Sequence, residues 1–231
     1  MADRTDPPRR GIAHSAGLDS IYDLRFGEAE RSRKAGVWRE ICGFLQRRYI
    51  PESSRVMDVA TDLGYFIGNI TAAERWASDL RDTSATMPEG VHFVQADGLK
   101  LAEVVPTEHF DVVFMSNYLE HLDSAESVIE QLRVAWQLLR PGGRVIILQP
   151  DIKLVGNAYW DFIDHRVPLT GESLAEAAAF AGFEHDVLVG RFLPYSTKGR
   201  LPSHPLLVRA YLAFPPAWRI LGKQALYIGR K

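Results

Sequence analysis

The run Arg55-Val-Met-Asp-Val-Ala-Thr-Asp-Leu-Gly-Tyr-Phe66 reads as a buried strand that feeds a tight turn and then a helix. Such a junction belongs to a parallel α/β sheet, in which nucleotide-like ligands bind beyond the carboxyl ends of the strands. A second strand-like run, Trp76-Ala-Ser-Asp79, puts an acid 21 residues after Asp58. That is close to the roughly 20-residue step from a glycine turn to a ribose-binding carboxylate. The rest of the chain alternates in the same way. Strands are predicted at 55–60, 75–79, 91–95, 110–116, 143–149, 183–192 and 224–230, and helices at 64–73, 124–140 and 172–181. One or two helices are expected between Ile21 and Arg48, with Trp38, Ile41, Phe44 and Leu45 on one face. In Leu139-Arg-Pro-Gly-Gly143, the proline stops a helix and the glycines turn the chain into the next strand. Strands alternating with helices imply a Rossmann-like, mostly parallel seven-stranded sheet with helices on both faces.

The turn after the first strand departs from G-x-G-x-x-G, because Ala60 and Asp62 stand where the first two glycines would be and only Gly64 remains. A carboxylate at Asp62 repels a pyrophosphate from the helix amides that bind it in NAD or FAD proteins. It suits a cationic ligand instead. S-adenosylmethionine carries a sulfonium, an ammonium and no phosphate, and its ribose hydroxyls suit an acid such as Asp79. Aspartate also tolerates the left-handed backbone that glycine usually supplies.

Four motifs then occur in order: Asp58 to Phe66, Ala96-Asp97 after Val91-His-Phe-Val94, Phe110-Asp-Val-Val-Phe-Met-Ser-Asn-Tyr-Leu-Glu-His-Leu122, and Leu139-Arg-Pro-Gly-Gly-Arg-Val-Ile-Ile-Leu148. With these, residues from about Pro51 to Phe183 resemble the class I S-adenosylmethionine-dependent methyltransferases, of the broad group called type 11. The resemblance implies S-adenosyl-L-methionine as cofactor, held at Asp58, Ala60, Asp62, Gly64, Asp79, Leu80, Asp97, Gly98, Ser116 and Asn117. Asp79 would take the ribose, Asp97 the adenine amino group, and Ser116 and Asn117 the floor. For Asp79 and Asp97 the competing reading is a cap or turn residue.

Two histidines are placed to act as bases on an acceptor, His121 after the fourth strand and His165 after the fifth. His121 could equally pack under the cofactor. His165 has Asp161 and Asp164 near it in sequence, and a carboxylate partner orients an imidazole and raises its basicity. Tyr159 and Trp160 are candidates either for walling an acceptor pocket or for packing on the sheet. Tyr22 and Arg25 are candidates for closing over the cofactor or for ordinary surface roles. No metal is expected, since no His/Asp/Glu cluster shows ligand spacing along the chain; the alternative is a catechol-type magnesium site built from loop acids.

The single cysteine, Cys42, excludes an intramolecular disulfide, suits a reducing cytoplasm and is expected to be buried and inert. No signal peptide and no membrane-spanning run is visible. The domain reading is a disordered start at 1–18, a methyltransferase domain over 19–193, a basic apolar insertion or lid at 194–222, and the last strand of the same domain at 223–231. The net charge of −2 conceals an asymmetry. Eight of the chain's 27 basic side chains and none of its 29 acidic ones lie beyond Asp186. In 194–222 these cations interleave with Leu206, Leu207, Tyr211, Phe214, Trp218 and Ile220. That mixture suits a lid on the sheet edge with solvated cations around it. It also suits an interfacial element touching an anionic membrane or a phosphate-bearing substrate. Nucleic acid is not expected, for want of a binding motif.

Three functions fit these observations. The first is methyl transfer to a small-molecule or glycan- or lipid-linked acceptor, in secondary metabolism or glycan assembly. The second is a cofactor-binding scaffold or cyclase without methyl transfer, since the extra side chains at Ala60 and Asp62 narrow the space for the methionine part. The third is a cofactor-free binding module.

Overall fold

A computed structural model describes residues 28–195 and 204–231. The N-terminal segment 1–18, Tyr22, Arg25, Lys198 and Arg200 lie outside the described residues. Seven strands form one sheet: β1 (Arg55–Val59), β2 (Glu74–Asp79), β3 (Val91–Gln95), β4 (Phe110–Ser116), β5 (Leu139–Pro150), β6 (Glu184–Leu193) and β7 (Gln224–Arg230). Their order is β3-β2-β1-β4-β5-β7-β6. β1 to β5 run parallel, whereas β7 pairs antiparallel with both β5 and β6. The order reverses between β1 and β4, so a crevice opens at their carboxyl ends.

The near-continuous apolar strands have the pattern of a sheet covered on both faces. On one face Met57, Val59, Val113, Met115, Val145 and Ile147 pack with Leu132, Ala135 and Leu138. These last three come from a helix at Ala125–Leu138, which we number α3 after α1 (Glu28–Tyr49) and α2 (Leu101–Val104). On the other face Val56, Phe114, Ile146 and Leu148 pack with Ile41, Cys42, Phe44 and Leu45 of α1. The predicted apolar face of α1 is therefore its buried face. Cys42 is fully buried, and burial pushes its thiol well above the usual range, so it stays a thiol.

Three elements differ from expectation. No helix spans 64–73: the chain makes turns and a short 3-10 helix at Ile67–Asn69. Gly64 is left-handed at φ +73°, the Asn69 side chain binds the Tyr65 carbonyl at 2.8 Å, and Phe66 stacks on Phe114 of the sheet at 3.6 Å. Those anchors draw the segment onto the sheet, and Phe66 and Ile67 take the place in the core that helix side chains would fill. Strand β5 starts at Leu139, four residues early, with a register shift against β4 between Phe110 and Val112. Gly142 makes the turn there at φ +76°. Between β6 and β7 stand two helices, which follow α4 (Ile152–Val155) and α5 (Gly171–Phe180) as α6 (Pro205–Ala213) and α7 (Pro215–Leu221). They lie on the α1 side of the sheet: Arg209 makes a bidentate pair with Glu40 at 2.8 and 2.9 Å, and the Tyr211 hydroxyl donates to the Phe192 carbonyl.

Candidate active site

The turn after β1 carries three left-handed residues in a row of alternate positions, Ala60 (φ 56°), Asp62 (φ 54°) and Gly64 (φ 73°). The backbone that glycines would normally adopt is thus kept where two of them are missing. A cost of about 1–2 kcal/mol attaches to a non-glycine residue in that region. It is offset at Asp62, whose amide donates to Asp79 Oδ2 at 3.0 Å and whose carboxylate pairs with Arg81 at 2.8 Å and Lys34 at 3.6 Å.

Asp79 ends β2 and is nearly buried. Its Oδ1 accepts from Arg81 N at 2.9 Å and Arg81 Nε at 3.2 Å. A carboxylate has about four acceptor positions, so the three donors from Asp62 and Arg81 leave one for a ribose hydroxyl. Burial opposes the Arg81 charge, but the Asp79 and Asp62 carboxylates outweigh it and hold the guanidinium above its usual range. Arg81, absent from the sequence reading, is the residue that allows two carboxylates to stand together here. The sequence shows only an arginine in a turn, with no periodic pattern.

Asp58 lies within β1 and is buried, accepting from the Thr61 hydroxyl at 2.6 Å. Burial pushes its carboxyl up to about 7, and the Thr61 hydrogen bond works against that rise. Asp97 is exposed at the end of β3 and caps the next turn through the Leu99 amide at 3.0 Å. A Cβ at Gly98 would meet the Tyr118 hydroxyl and, at 2.7 Å, Gln131 Oε1, so a side chain there would displace that hydrogen-bonded pair. Asn117 follows β4 with φ 47° and donates to Ser116 Oγ at 3.1 Å.

These residues line two adjoining cavities. Asp79, Leu80, Arg81, Asp97, Gly98 and Tyr118 belong to one, a slot of about 230 Å³ suited to an adenosine group. The other, of about 240 Å³, is lined by Asp58, Ser116, Glu120, His165, Phe162 and Tyr195 among others. Ala60, Asp62, Asn117 and His121 line both. Of the expected cofactor residues only Gly64 reaches neither cavity; it shapes the turn, its amide bound to the Thr61 carbonyl at 3.0 Å.

The two histidines come together, their rings 5.0 Å apart. Of the two carboxylates expected near His165, Asp164 stands against His121: His121 Nδ1 is 3.4 Å from Asp164 Oδ2 and 3.1 Å from the Asp164 carbonyl. His165 is held by rings, with Phe162 stacked at 4.9 Å and Tyr159 edge-on at 4.7 Å. Tyr159 and Trp160 are not brought to either cavity. Tyr159 is fully buried behind His165 with its hydroxyl on the Val167 carbonyl, and Trp160 is 53% exposed. Phe162 and Tyr195 wall the second cavity in their place. Glu120, also missed, is 1% exposed, and burial pushes its carboxyl above the usual range. Ligand spacing is absent along the chain, but the fold brings three such residues together in space. Glu120, His121 and His165 offer one ligand atom each within 4.8 Å of one another, a proximity that the fold creates across 44 residues of chain.

A family model described as a methyltransferase domain matches residues 30–187. The chain belongs to the class I S-adenosylmethionine-dependent methyltransferases. S-adenosylmethionine is the cofactor of this methyltransferase, and the residues present fit it: the Asp79 carboxylate keeps an acceptor position free for a hydroxyl, the Asp58 and Asp62 carboxyls stand where its cationic part would come, and Gly98 and Tyr118 bound a slot wide enough for a base. The methyltransferase is 36% identical over 181 residues to the ubiquinone/menaquinone biosynthesis C-methyltransferase UbiE of Pseudomonas savastanoi, covering 70% of this chain and 66% of that protein. It therefore spans just under two thirds of the length of the curated relatives it matches. Among solved structures it superposes on a possible histamine N-methyltransferase from Thermotoga maritima (TM-score 0.63, 16% identity, 92% of this chain and 98% of that one). It also superposes on the 1,6-didemethyltoxoflavin-N1-methyltransferase of Burkholderia thailandensis (TM-score 0.62, 18% identity, 100% and 92%).

Proposed function

We propose that this methyltransferase transfers the sulfonium methyl of S-adenosylmethionine to a small cyclic acceptor bearing an ionisable hydroxyl, of the phenol or hydroquinone class, with carbon as the attacking atom. The observation that carries this reading is the joined pair of cavities. The adenosine slot at Asp79 and the cavity at His165 meet at Ala60, Asp62, Asn117 and His121, which is where the methyl would lie. Aromatic walls at Phe162, Tyr195, Phe66 and Trp38 suit a flat acceptor, and the similarity to a quinone-pathway C-methyltransferase supports carbon as the target.

In this mechanism the cleft supplies alignment, since a fixed donor and acceptor replace a bimolecular encounter. His165 or His121 takes the hydroxyl proton, the ring carbon attacks the methyl, and the carbon–sulfur bond breaks to release S-adenosylhomocysteine. The histidine passes its proton to solvent, the ring carbon then gives its proton to the freed imidazole or to water, and aromaticity is restored. His165→Ala should lower turnover by roughly 10²–10⁴-fold, the usual range for general-base loss, while calorimetry shows S-adenosylhomocysteine affinity nearly unchanged. Full activity would remove the histidine from the mechanism.

A lipid-borne acceptor and contact with an anionic membrane form the second part of the proposal. Leu206, Leu207, Phe214 and Ile220 of the α6–α7 segment are 51–78% exposed, and Arg219 and Lys223 flank them. Among the described residues no helix is long and apolar enough to cross a membrane, so such contact would be peripheral.

A further inference from the structure

We propose that Glu120, His121 and His165 bind one divalent transition-metal cation, and that this ion holds and ionises the acceptor. All three side chains line the second cavity, and their ligand atoms lie within 4.8 Å of one another. Ligand atoms bound to one ion at about 2.0–2.2 Å stand roughly 3–3.5 Å apart, so small side-chain rotations close the set. Two backbone hydrogen bonds bind the segments that carry them, from Arg166 N and Val167 N to the Glu120 carbonyl at 2.8 and 3.1 Å.

The surroundings have the features of a ligand shell. Metal-binding imidazoles commonly direct their second nitrogen to a carboxylate or carbonyl, and His121 Nδ1 has both from Asp164. That leaves Nε2 as the coordinating atom. Glu120 Oε2 is buried within reach of the Gln149 side chain but makes no hydrogen bond of good geometry among the described residues, and a cation would complete it. Two imidazoles and a carboxylate favour borderline ions such as Fe²⁺, Co²⁺, Ni²⁺ or Zn²⁺ over Mg²⁺ or Ca²⁺. Three protein ligands leave positions open towards the cavity.

This inference deepens the proposed function and rests on the acceptor lying in the second cavity. An acceptor with adjacent oxygens would occupy the open positions as its anion, its hydroxyl proton leaving to water. The ring carbon then takes the methyl from sulfur, and the ion changes neither charge nor oxidation state. In the loaded form the histidines are ligands, and the cation replaces them in ionising the acceptor.

The test uses the full chain, stripped with a chelator and titrated with Co²⁺ or Zn²⁺ alone. One equivalent should bind in the micromolar range, with Co²⁺ developing visible d–d bands and X-ray absorption of the loaded wild type showing two imidazoles. His121→Gln, His165→Gln and Glu120→Gln should each weaken binding by about 100-fold, at or beyond the 10–100-fold known for outer-shell changes. The wild-type absorption spectrum keeps the test decisive if a variant misfolds. Absence of stoichiometric binding, a ligand set without two imidazoles, or unchanged binding in a folded His121→Gln/His165→Gln double variant would each overturn the site. Because no acceptor is present, failure here leaves the methyl-transfer reading standing, and loss of methyl transfer leaves metal binding measurable.

Discussion

Asp58, Asp62 and Asp79 bring three carboxyl groups together at the ends of β1 and β2, and their partners differ. Asp62 and Asp79 share Arg81, but among the described residues Asp58 faces no cation: burial pushes it up to about 7 against the Thr61 hydroxyl and the Ile67 amide. Its raised value means that the unliganded fold prefers the proton, so this group's contribution to stability falls as pH rises from about 4 to about 7 and is level above. Binding a cationic cofactor beside it favours the ionised form. S-adenosylmethionine affinity should therefore rise by up to about tenfold per pH unit below 7 and level off above it. Calorimetry between pH 6 and 8 checks this, with Asp58→Asn expected to flatten the profile; a slope that survives the substitution would assign it to another group. Asp58, Asp79 and Asp97 were legible because each ends or nearly ends a strand at a readable spacing. Arg81 and Glu120 were not, because their roles come from partners distant along the chain or from burial, neither of which leaves a local pattern.

At the level of elements, hydrophobic alternation gave all seven strands and the long helices, whereas the β1–β2 connection was read as a helix and is a turn with a short 3-10 helix. Apolar residues at 66, 67 and 70 satisfy a helical period, but here they serve as anchors onto the sheet. The left-handed backbone at Ala60 leads to a second prediction. Ala60→Gly removes about 1–2 kcal/mol of backbone cost and adds about 0.4–1 kcal/mol through the freer unfolded chain. Denaturant unfolding should show a gain of about 0.5–1 kcal/mol. A loss would mean that the Ala60 methyl makes contacts worth more than the strain. Asp62→Gly should differ, since it also breaks the pairs with Arg81 and Lys34.

For the whole molecule, charge and apolar exposure are distributed unevenly, with the aspartates of the candidate cleft at the strand ends and the exposed apolar side chains on α6 and α7. The excess of basic residues beyond Asp186 was visible in sequence, and so was the apolar content of that stretch; the packing of α6 on α1 through Arg209 and Glu40 was not. Vesicles containing anionic lipid should enrich the protein on flotation, and Leu207→Glu with Ile220→Glu should abolish the enrichment. Equal recovery with and without vesicles would refute membrane contact. The measurement closest to the central claim is calorimetry of the purified protein with S-adenosylmethionine, S-adenosylhomocysteine and NAD. Micromolar binding of both adenosyl compounds, absent for NAD and weakened by Asp79→Ala, is the result expected if Asp79 takes the ribose and the Asp62 carboxylate keeps a pyrophosphate out. No binding of either adenosyl compound, or equal binding of NAD, would contradict the account.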